Sequence, residues 1–366
     1  MKWKQPLLSL KPYQPGRTIE EVKKQFGLEK IVKLASNENP FGCSPKAAAA
    51  IRNFSQVLSL YPDGYATKLR EAVSRHLNVS PEQLIFGDGS DELIQIISRS
   101  LLHAETNTVM ASGTFSQYKH NAIIEGSAIR EIPLVNGAHD LPSMLEAIDE
   151  KTSVVWLCSP NNPTGVYIKR EEIYSFLSKV PKDVLVVLDE AYYEYVQAED
   201  YYDAITLVEE YQNLIVLRTF SKIYGLASLR VGYGIANEEI IKVLDPARPP
   251  FNVNALGQSA AAEAIQDQAF VNECKEENQK GLKQFYDFCD EHQLDYYPSQ
   301  GNFILIDFKC DGNEVFQFLM ERGYIIRSGV PLGFPTFVRV TVGSKEQNEG
   351  VISKMSEFLV AKATLS

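Results

Sequence analysis

Leu217–Tyr233, LRTFSKIYGLASLRVGY, is the stretch around which the rest of the chain is organised. It continues an apolar run, Leu214-Ile215-Val216-Leu217, that reads as a buried strand. The chain then turns polar at Arg218-Thr219-Phe220-Ser221-Lys222, passes through glycine and small residues, and reaches Arg230 eight positions beyond Lys222. A second apolar run, Val231–Ile235, follows. A lysine at the end of a buried strand has its pKa lowered by partial burial, and an unprotonated amine can form a Schiff base with an aldehyde. Ser221, Thr219 and Arg230 are suited to hold a phosphate beside it. Together they suggest pyridoxal phosphate (PLP). Taken alone, the motif is weak, and the plainer reading, a snorkelling lysine and a surface arginine, is the stronger one.

Composition narrows the classes. With 366 residues the chain makes one large domain or two ordinary ones, and 45% apolar with 23% charged residues is the balance of a globular protein with a sizeable core. A net charge of −11 argues against nucleic acid and anionic membranes as partners, so an anionic ligand must be held by local arginines or helix N-termini. The five cysteines are odd in number and irregularly spaced, without C-x-x-C, and the five histidines are scattered. Neither a disulfide framework nor a metal site is expected. The first residues, MKWKQPLLSLKPYQPGR, contain only a short apolar piece interrupted by proline, and no run approaches a membrane span. The expected compartment is the cytoplasm.

Along the chain, residues 1–30 read as an arm broken by Pro6, Pro12, Pro15 and Gly16, with a short helix at about Thr18–Gly27. From Leu84 onward, strand-like runs alternate with helical ones: Leu84–Phe86, Thr108–Ala111, Ala128–Pro133, Ser153–Cys158, Val184–Leu188 and Leu214–Leu217. Several are short, continuous and β-branched, as in a sheet buried on both faces, and the alternation implies an α/β fold with a mostly parallel sheet. Helical pattern beginning near Asn254 continues through Asp290, and the strands and helices beyond it form a second, smaller α+β unit. Ligands of such sheets sit at the carboxyl ends of the strands, where the polar motifs fall.

Gly87-Asp88-Gly89-Ser90-Asp91-Glu92 follows a strand and opens a helix; its small residues and free N–H groups favour an anion, or simply cap the helix. Ser159-Pro160-Asn161-Asn162-Pro163-Thr164-Gly165 follows another strand and is either a plain loop or a place to fix an asparagine against a ring oxygen. Asp189 ends an apolar strand, where a carboxylate is costly unless paired; a protonated pyridine nitrogen would be a fitting partner, and a helix N-cap the ordinary alternative. Tyr192, three residues on, could reach the ring's other polar edge.

NNPTG (Asn161–Gly165), DEAY (Asp189–Tyr192) and S-K with a trailing arginine (Ser221, Lys222, Arg230), in that order, resemble the fold-type I PLP-dependent aminotransferases. The 33-residue separation of Asp189 and Lys222, with a strand beginning between them, is similar to that family. Further pieces resemble its histidinol-phosphate aminotransferase branch: PYQPG (Pro12–Gly16), LASNENPFG (Leu34–Gly42), YPDG (Tyr61–Gly64), GDGSDE, RPPFNVN (Arg248–Asn254) and RVTVG (Arg339–Gly343). The likeness runs from about Pro12 to about Gly350.

The resemblance implies an arm at 1–30 packing with the small domain, a large PLP-binding domain at 31–250 with a mainly parallel seven-stranded sheet, and a small domain at 251–366 with a boundary helix at about 254–290. It implies that Lys222 carries the cofactor and moves the proton, Asp189 pairs the pyridine nitrogen, Asn162 and Tyr192 bond the ring hydroxyl oxygen, and Phe115 stacks on the ring. Ser90, Asp91 (through its backbone N–H), Thr219, Ser221 and Arg230 gather round the phosphate, with Tyr61 supplied by the other subunit of a homodimer. Arg339, joined by Arg327 and Tyr13 with Asn37 close by, would bind a carboxylate of glutamate or the phosphate of histidinol phosphate. The implied reaction exchanges histidinol phosphate and 2-oxoglutarate for imidazole acetol phosphate and glutamate. Aromatic amino acid transamination and threonine-phosphate decarboxylation use the same machinery and stay open. Three departures from the pattern are Ala227-Ser228 where relatives often carry A-G, Asp88 where Asn is common, and Phe115, which lacks the hydroxyl of a tyrosine. A PLP-sensing module fused to a DNA-binding domain is disfavoured by the acidic charge and by the lack of a helix-turn-helix ahead of the matched region.

Overall fold

Burial on both faces turns the β-branched runs into the centre of one large sheet. The computed structural model describes residues 1–364 apart from 9, 13–15 and 56–57. In chain order the strands are β1 (Val32–Lys33), β2 (Leu84–Asp88), β3 (Asn107–Ala111), β4 (Ala128–Ile132), β5 (Thr152–Cys158), β6 (Leu185–Asp189), β7 (Leu214–Thr219) and β8 (Val231–Ala236). They continue as β9 (Asp295–Tyr296), β10 (Phe303–Asp307), β11 (Tyr324–Ile325), β12 (Arg327–Ser328) and β13 (Phe337–Thr341). The helices are α1 (Ile19–Phe26), α2 (Pro45–Arg52), α3 (Thr67–Leu77), α4 (Ser90–Leu101), α5 (Ser116–Glu125), α6 (Leu141–Glu146) and α7 (Arg170–Leu177). After these come α8 (Ala204–Glu210), α9 (Glu238–Leu244), α10 (Ala255–Ala264), α11 (Gln268–His292), α12 (Gly312–Met320) and α13 (Lys345–Ala363).

The seven-stranded sheet has the order β2-β8-β7-β6-β5-β3-β4. The run from β7 to β4 is parallel, and β8 is antiparallel to both its neighbours. Alternation along the central strands feeds two cores. Val155, Leu157, Val186, Leu188, Leu214 and Val216 pack on one face. Val154, Trp156, Leu185, Val187, Ile215 and Leu217 pack on the other, against α4 residues such as Ile94 and Ile97. With helices on both faces, the backbone of each central strand is satisfied only by its neighbours, and the carboxyl ends of β5, β6 and β7 come into line: Cys158 pairs with Asp189, and Asp189 with Leu217. The ends that carry the sequence motifs therefore meet at one rim.

A second sheet, β12-β13-β10-β9, is antiparallel and packs against α11, α12 and α13 around Phe285, Phe288, Ile304, Val338, Val340 and Met355. The seams between the large unit and the small one fall at particular residues. Val32 and Leu34 pack in this second core, and β1 pairs with β11, although the sequence placed the large domain from residue 31. Conversely, Ala260 and Ala261 of α10 and Val271 and Cys274 of α11 pack in the large core, while Leu282, Phe285 and Phe288 of the same 25-residue α11 pack in the small one. The helical pattern expected to run unbroken through this region is interrupted at 265–267. The arm also divides: Val22 of α1 packs with Met320 and Ile325 of the small unit, whereas Lys4 pairs with Glu125 at the end of α5, 2.7 Å apart. Among the described residues no helix is long and apolar enough to cross a membrane.

Candidate active site

Asp189 is the last residue of β6, buried because the strand is central, and its carboxylate meets no cation within ion-pair distance among the described residues. Its Oδ2 accepts the Tyr118 hydroxyl at 2.6 Å and its Oδ1 the Ala191 N–H at 3.2 Å. Burial raises the carboxyl to about 6, against the pull of the Tyr118 hydrogen bond. Lys222 lies just past β7, and its Nζ donates to the Ser36 carbonyl at 3.3 Å. Burial, then the positive charge of Arg339, lowers its amine to about 8.

Beside the amine lies a cradle for an anion. Arg230 has a left-handed backbone (φ 54°), which turns its side chain back so that Nη1 donates to Ser221 Oγ and to the Ala227 carbonyl, both at 3.2 Å. Its Nη2 is 3.7 Å from Asp91 Oδ2. Thr219 Oγ1 accepts the Ser221 N–H at 3.1 Å. The N-terminus of α4, at Ser90 and Asp91, faces the same space. Gly89 is required there: its φ is 78°, and a Cβ would come within 2.6 Å of Arg230 Nη2. Gly232 lets β8 approach closely, since a Cβ on it would lie 2.4 Å from the Ser90 nitrogen. Asp88, the extra negative charge, is exposed and does not line the cavity, and Ser228 is also exposed.

A cavity of about 510 Å³ joins these groups. Of the residues singled out in the sequence, Ser90, Asp91, Phe115, Asn162, Asp189, Tyr192, Thr219, Ser221, Lys222, Arg230, Asn37, Arg327 and Arg339 all line it. At the far wall Arg339, from β13, donates to Asn162 Oδ1 at 2.6 Å and to the Ala35 carbonyl at 2.7 Å, so the small unit is tied to the NNPTG loop across the cavity. Asn162 is thus engaged by Arg339 as well as placed on the wall. Asn37, with φ 55°, donates to the Tyr192 hydroxyl and accepts from Thr341 Oγ1, each at 3.0 Å. Two expected residues are not among the wall residues. Tyr61 is 82% exposed and stacks on Phe251 with ring centroids 4.7 Å apart. Tyr13 lies outside the described residues.

Other residues had no assigned role in the sequence. Tyr118 is the largest omission; it stands three positions after Phe115, one helical turn on, which is the spacing that could have pointed to it. Asn161 is buried in the loop, accepting from Thr114 and donating to Thr164, and so shapes what Asn162 presents. Arg218 and Glu190 form a buried two-bond ion pair (2.9 and 2.8 Å), with the guanidinium 3.5 Å from the centre of the Tyr193 ring. That pair locks the loop after β6 to β7, and with it Asp189 to Thr219. Lys11 and Pro12 of the arm also line the cavity.

The residues present fit PLP. An uncompensated buried carboxylate suits a ring cation, a lowered amine suits an aldehyde, and the glycine-backed cradle of Arg230, Ser221 and the α4 N-terminus suits a phosphate. Placed at the carboxyl rim of this sheet, they define a PLP-dependent enzyme of fold type I. The chain belongs to the aminotransferase class I and II family, whose profile matches residues 29–355. It is 60% identical over 362 residues to the histidinol-phosphate aminotransferase of Geobacillus sp. (strain WCH70), covering 99% of both chains. It is 60% identical over 360 residues to that of Bacillus subtilis (strain 168), covering 98% of this chain and all of the relative. Among solved structures, histidinol-phosphate aminotransferase from Sinorhizobium meliloti in complex with pyridoxal-5'-phosphate superposes with a TM-score of 0.90 at 26% identity, covering 98% of each chain.

Proposed function

We propose that this protein is a PLP-dependent transaminase that converts L-histidinol phosphate and 2-oxoglutarate to imidazole acetol phosphate and L-glutamate, a step of histidine biosynthesis. The observation that carries the reading is the cavity itself: a lowered lysine amine and a buried carboxylate on one wall, Arg327 and Arg339 on another, in a space of about 510 Å³. An amino substrate with an anionic end matches both walls. The relatives at 60% identity over nearly the whole chain support the same choice.

When bound, PLP supplies an electron sink that weakens the Cα–H bond of an amino substrate joined to it. The Arg230, Ser221 and Thr219 cradle with the α4 N-terminus binds its phosphate. Asp189, held by Tyr118 and the Ala191 N–H, favours a proton on the ring nitrogen. Phe115 and Tyr192 orient the ring from the cavity wall. Lys222, its amine lowered to about 8, would take the proton from the substrate Cα and return it, across the intervening nitrogen, to the cofactor carbon that carried the aldehyde. Arg339 and Arg327 hold the phosphate of histidinol phosphate or the distal carboxylate of glutamate, because a guanidinium fork grips either anion; one pocket can therefore accept two unlike substrates in turn.

The active form is a homodimer in which Tyr61 completes the phosphate site of the other protomer. Its exposure, its stacking on Phe251 and the exposed Leu58, Leu60 and Tyr65 in the same stretch support this reading. The enzyme acts in the cytoplasm. A second reading, transamination of phenylalanine or tyrosine, is favoured by the apolar wall of Phe115, Pro331 and Leu332.

The test mixes PLP-loaded protein with histidinol phosphate, and separately with phenylalanine, and follows the cofactor's near-visible absorbance. Loss of the band at far lower concentrations of histidinol phosphate, with recovery on adding 2-oxoglutarate, supports the assignment. Response to phenylalanine alone removes the phosphate-reading role of Arg327 and Arg339. Release of CO2 from threonine phosphate added in a third mixture, without glutamate formation, identifies a decarboxylase instead.

A further inference from the structure

Tyr118 is fully buried on α5, and three contacts leave it one orientation. Its ring stacks on Trp156 with centroids 4.9 Å apart and planes at 11°. It meets Phe115 edge-on at 5.6 Å. Its hydroxyl donates to Asp189 Oδ2 at 2.6 Å, a short bond of the kind a charged acceptor makes. The Trp156 indole N–H donates to Thr108 Oγ1 at 2.9 Å, so the platform under Tyr118 is itself anchored to β3. A phenol held this way is a fixed donor.

The groups that face Asp189 come from five directions: Asp91 on α4, Tyr118 on α5, Cys158 at the end of β5, Tyr192 in the loop after β6 and Lys222 beyond β7. Asp91 disfavours a charge on Asp189, Lys222 favours it, and burial opposes it most. Burial also pushes the Cys158 thiol up to about 12 and the Tyr118 phenol well above its ordinary range, so both stay protonated. Tyr118 is then the side-chain hydroxyl whose hydrogen bond stabilises the ionised carboxylate.

We infer that Tyr118 is a positioning residue for the reaction: by donating to Oδ2 it keeps Asp189 ionised and fixed in orientation, and so governs how firmly the site keeps a proton on the cofactor's ring nitrogen. The inference rests on the PLP reading above. Tyr118 touches no substrate and acts only through Asp189. A carboxylate that loses a hydrogen bond in a buried site becomes a weaker partner for a cation, and the ring then draws electrons less strongly.

The test is Tyr118→Phe, which keeps the stack on Trp156 and removes only the hydroxyl, loaded with PLP labelled with ¹⁵N at the ring nitrogen. The ¹⁵N shift reports protonation of that nitrogen directly across pH 6–9. The expected result is a titration moved to lower pH in Tyr118→Phe, with kcat reduced roughly ten- to hundredfold and KM little changed, the size expected for a hydrogen bond to a charged group. A Trp156→Phe variant, which disturbs the stack and keeps the hydroxyl, is expected to titrate as the wild type. Replacing Tyr118 with 3,5-difluorotyrosine, a stronger donor of nearly the same shape, is expected to move the titration the other way and requires no loss of packing. A Tyr118→Phe titration that superimposes on the wild type overturns the inference, as does a Trp156→Phe titration that moves equally. A wild type that takes up PLP while the variants do not differ sinks this inference alone. A wild type that takes up no PLP sinks the functional reading, and the inference with it.

Discussion

Lys222 illustrates how position tunes one side chain. Its amine is lowered to about 8 by burial and by Arg339, a residue more than a hundred positions away, so the electrostatic half of that effect is written nowhere near the SK motif. Removing the amine in Lys222→Ala is expected to slow turnover by several decades, each worth about 1.4 kcal/mol of barrier. The check is steady-state turnover of histidinol phosphate by the purified variant, and near-normal rates would contradict the role. The neutral form is the nucleophile, and a base with a pKa of about 8 is neutral above that value. Capture of PLP by the cofactor-free protein is therefore expected to quicken as pH rises through about 8 and to level off beyond, measured by stopped-flow absorbance; a flat profile from pH 6 to 10 would count against it. Asp189 could be picked out from the sequence because a carboxylate ending an apolar strand asks for a partner. Tyr118 was marked locally only by its one-turn spacing from Phe115, and nothing local to α5 says that its hydroxyl reaches a residue 71 positions on.

At the scale of elements, the site depends on β6 and β7 being held in register beyond their last paired residues. The pair Asp189 and Leu217 closes the ladder, and the Glu190–Arg218 ion pair continues the link through side chains. Both partners are buried, so breaking the pair from one side leaves a charge without compensation. Arg218→Met is expected to destabilise the protein by about 3–5 kcal/mol, and the double variant Arg218→Met with Glu190→Gln to recover much of that. Urea unfolding midpoints measure both, and a single variant within about 0.5 kcal/mol of wild type would mean that the pair is dispensable. The run Val184–Leu188 located β6 to within a residue because burial on both faces demands unbroken apolar sequence, while Leu214–Leu217 stopped two residues short of β7, whose last residues, Arg218 and Thr219, are polar. The break between α10 and α11 was not visible, because helical periodicity persists on both sides of it, and both α10 and the start of α11 pack in the large core before α11 passes into the small one.

For the whole molecule, the proposed homodimer rests on the exposed Tyr61, which stacks on Phe251 within its own chain. Tyr61→Phe is expected to keep the dimer and weaken PLP binding roughly tenfold, about 1.4 kcal/mol, for the loss of one hydrogen bond to a phosphate. Equilibrium titration of the cofactor and sedimentation together test this, and a fully active monomer would contradict it. The two hydrophobic cores meet where Arg339 reaches across to Asn162 and Ala35 and where Asn37 joins Thr341 to Tyr192. These links close the cavity between units that are far apart in sequence. The α/β class, the strands of the central sheet and the ordered motifs at their ends were legible in the chain alone, because hydrophobic periodicity and strand-end polarity are local properties that folding cannot hide. That Val32 and Leu34 pack in the small core, that Asn162 is held by Arg339, and that Tyr118 donates to Asp189 emerged only with the folded chain. Each of those depends on which surfaces come together when long-range contacts form, and no stretch of neighbouring residues carries that information.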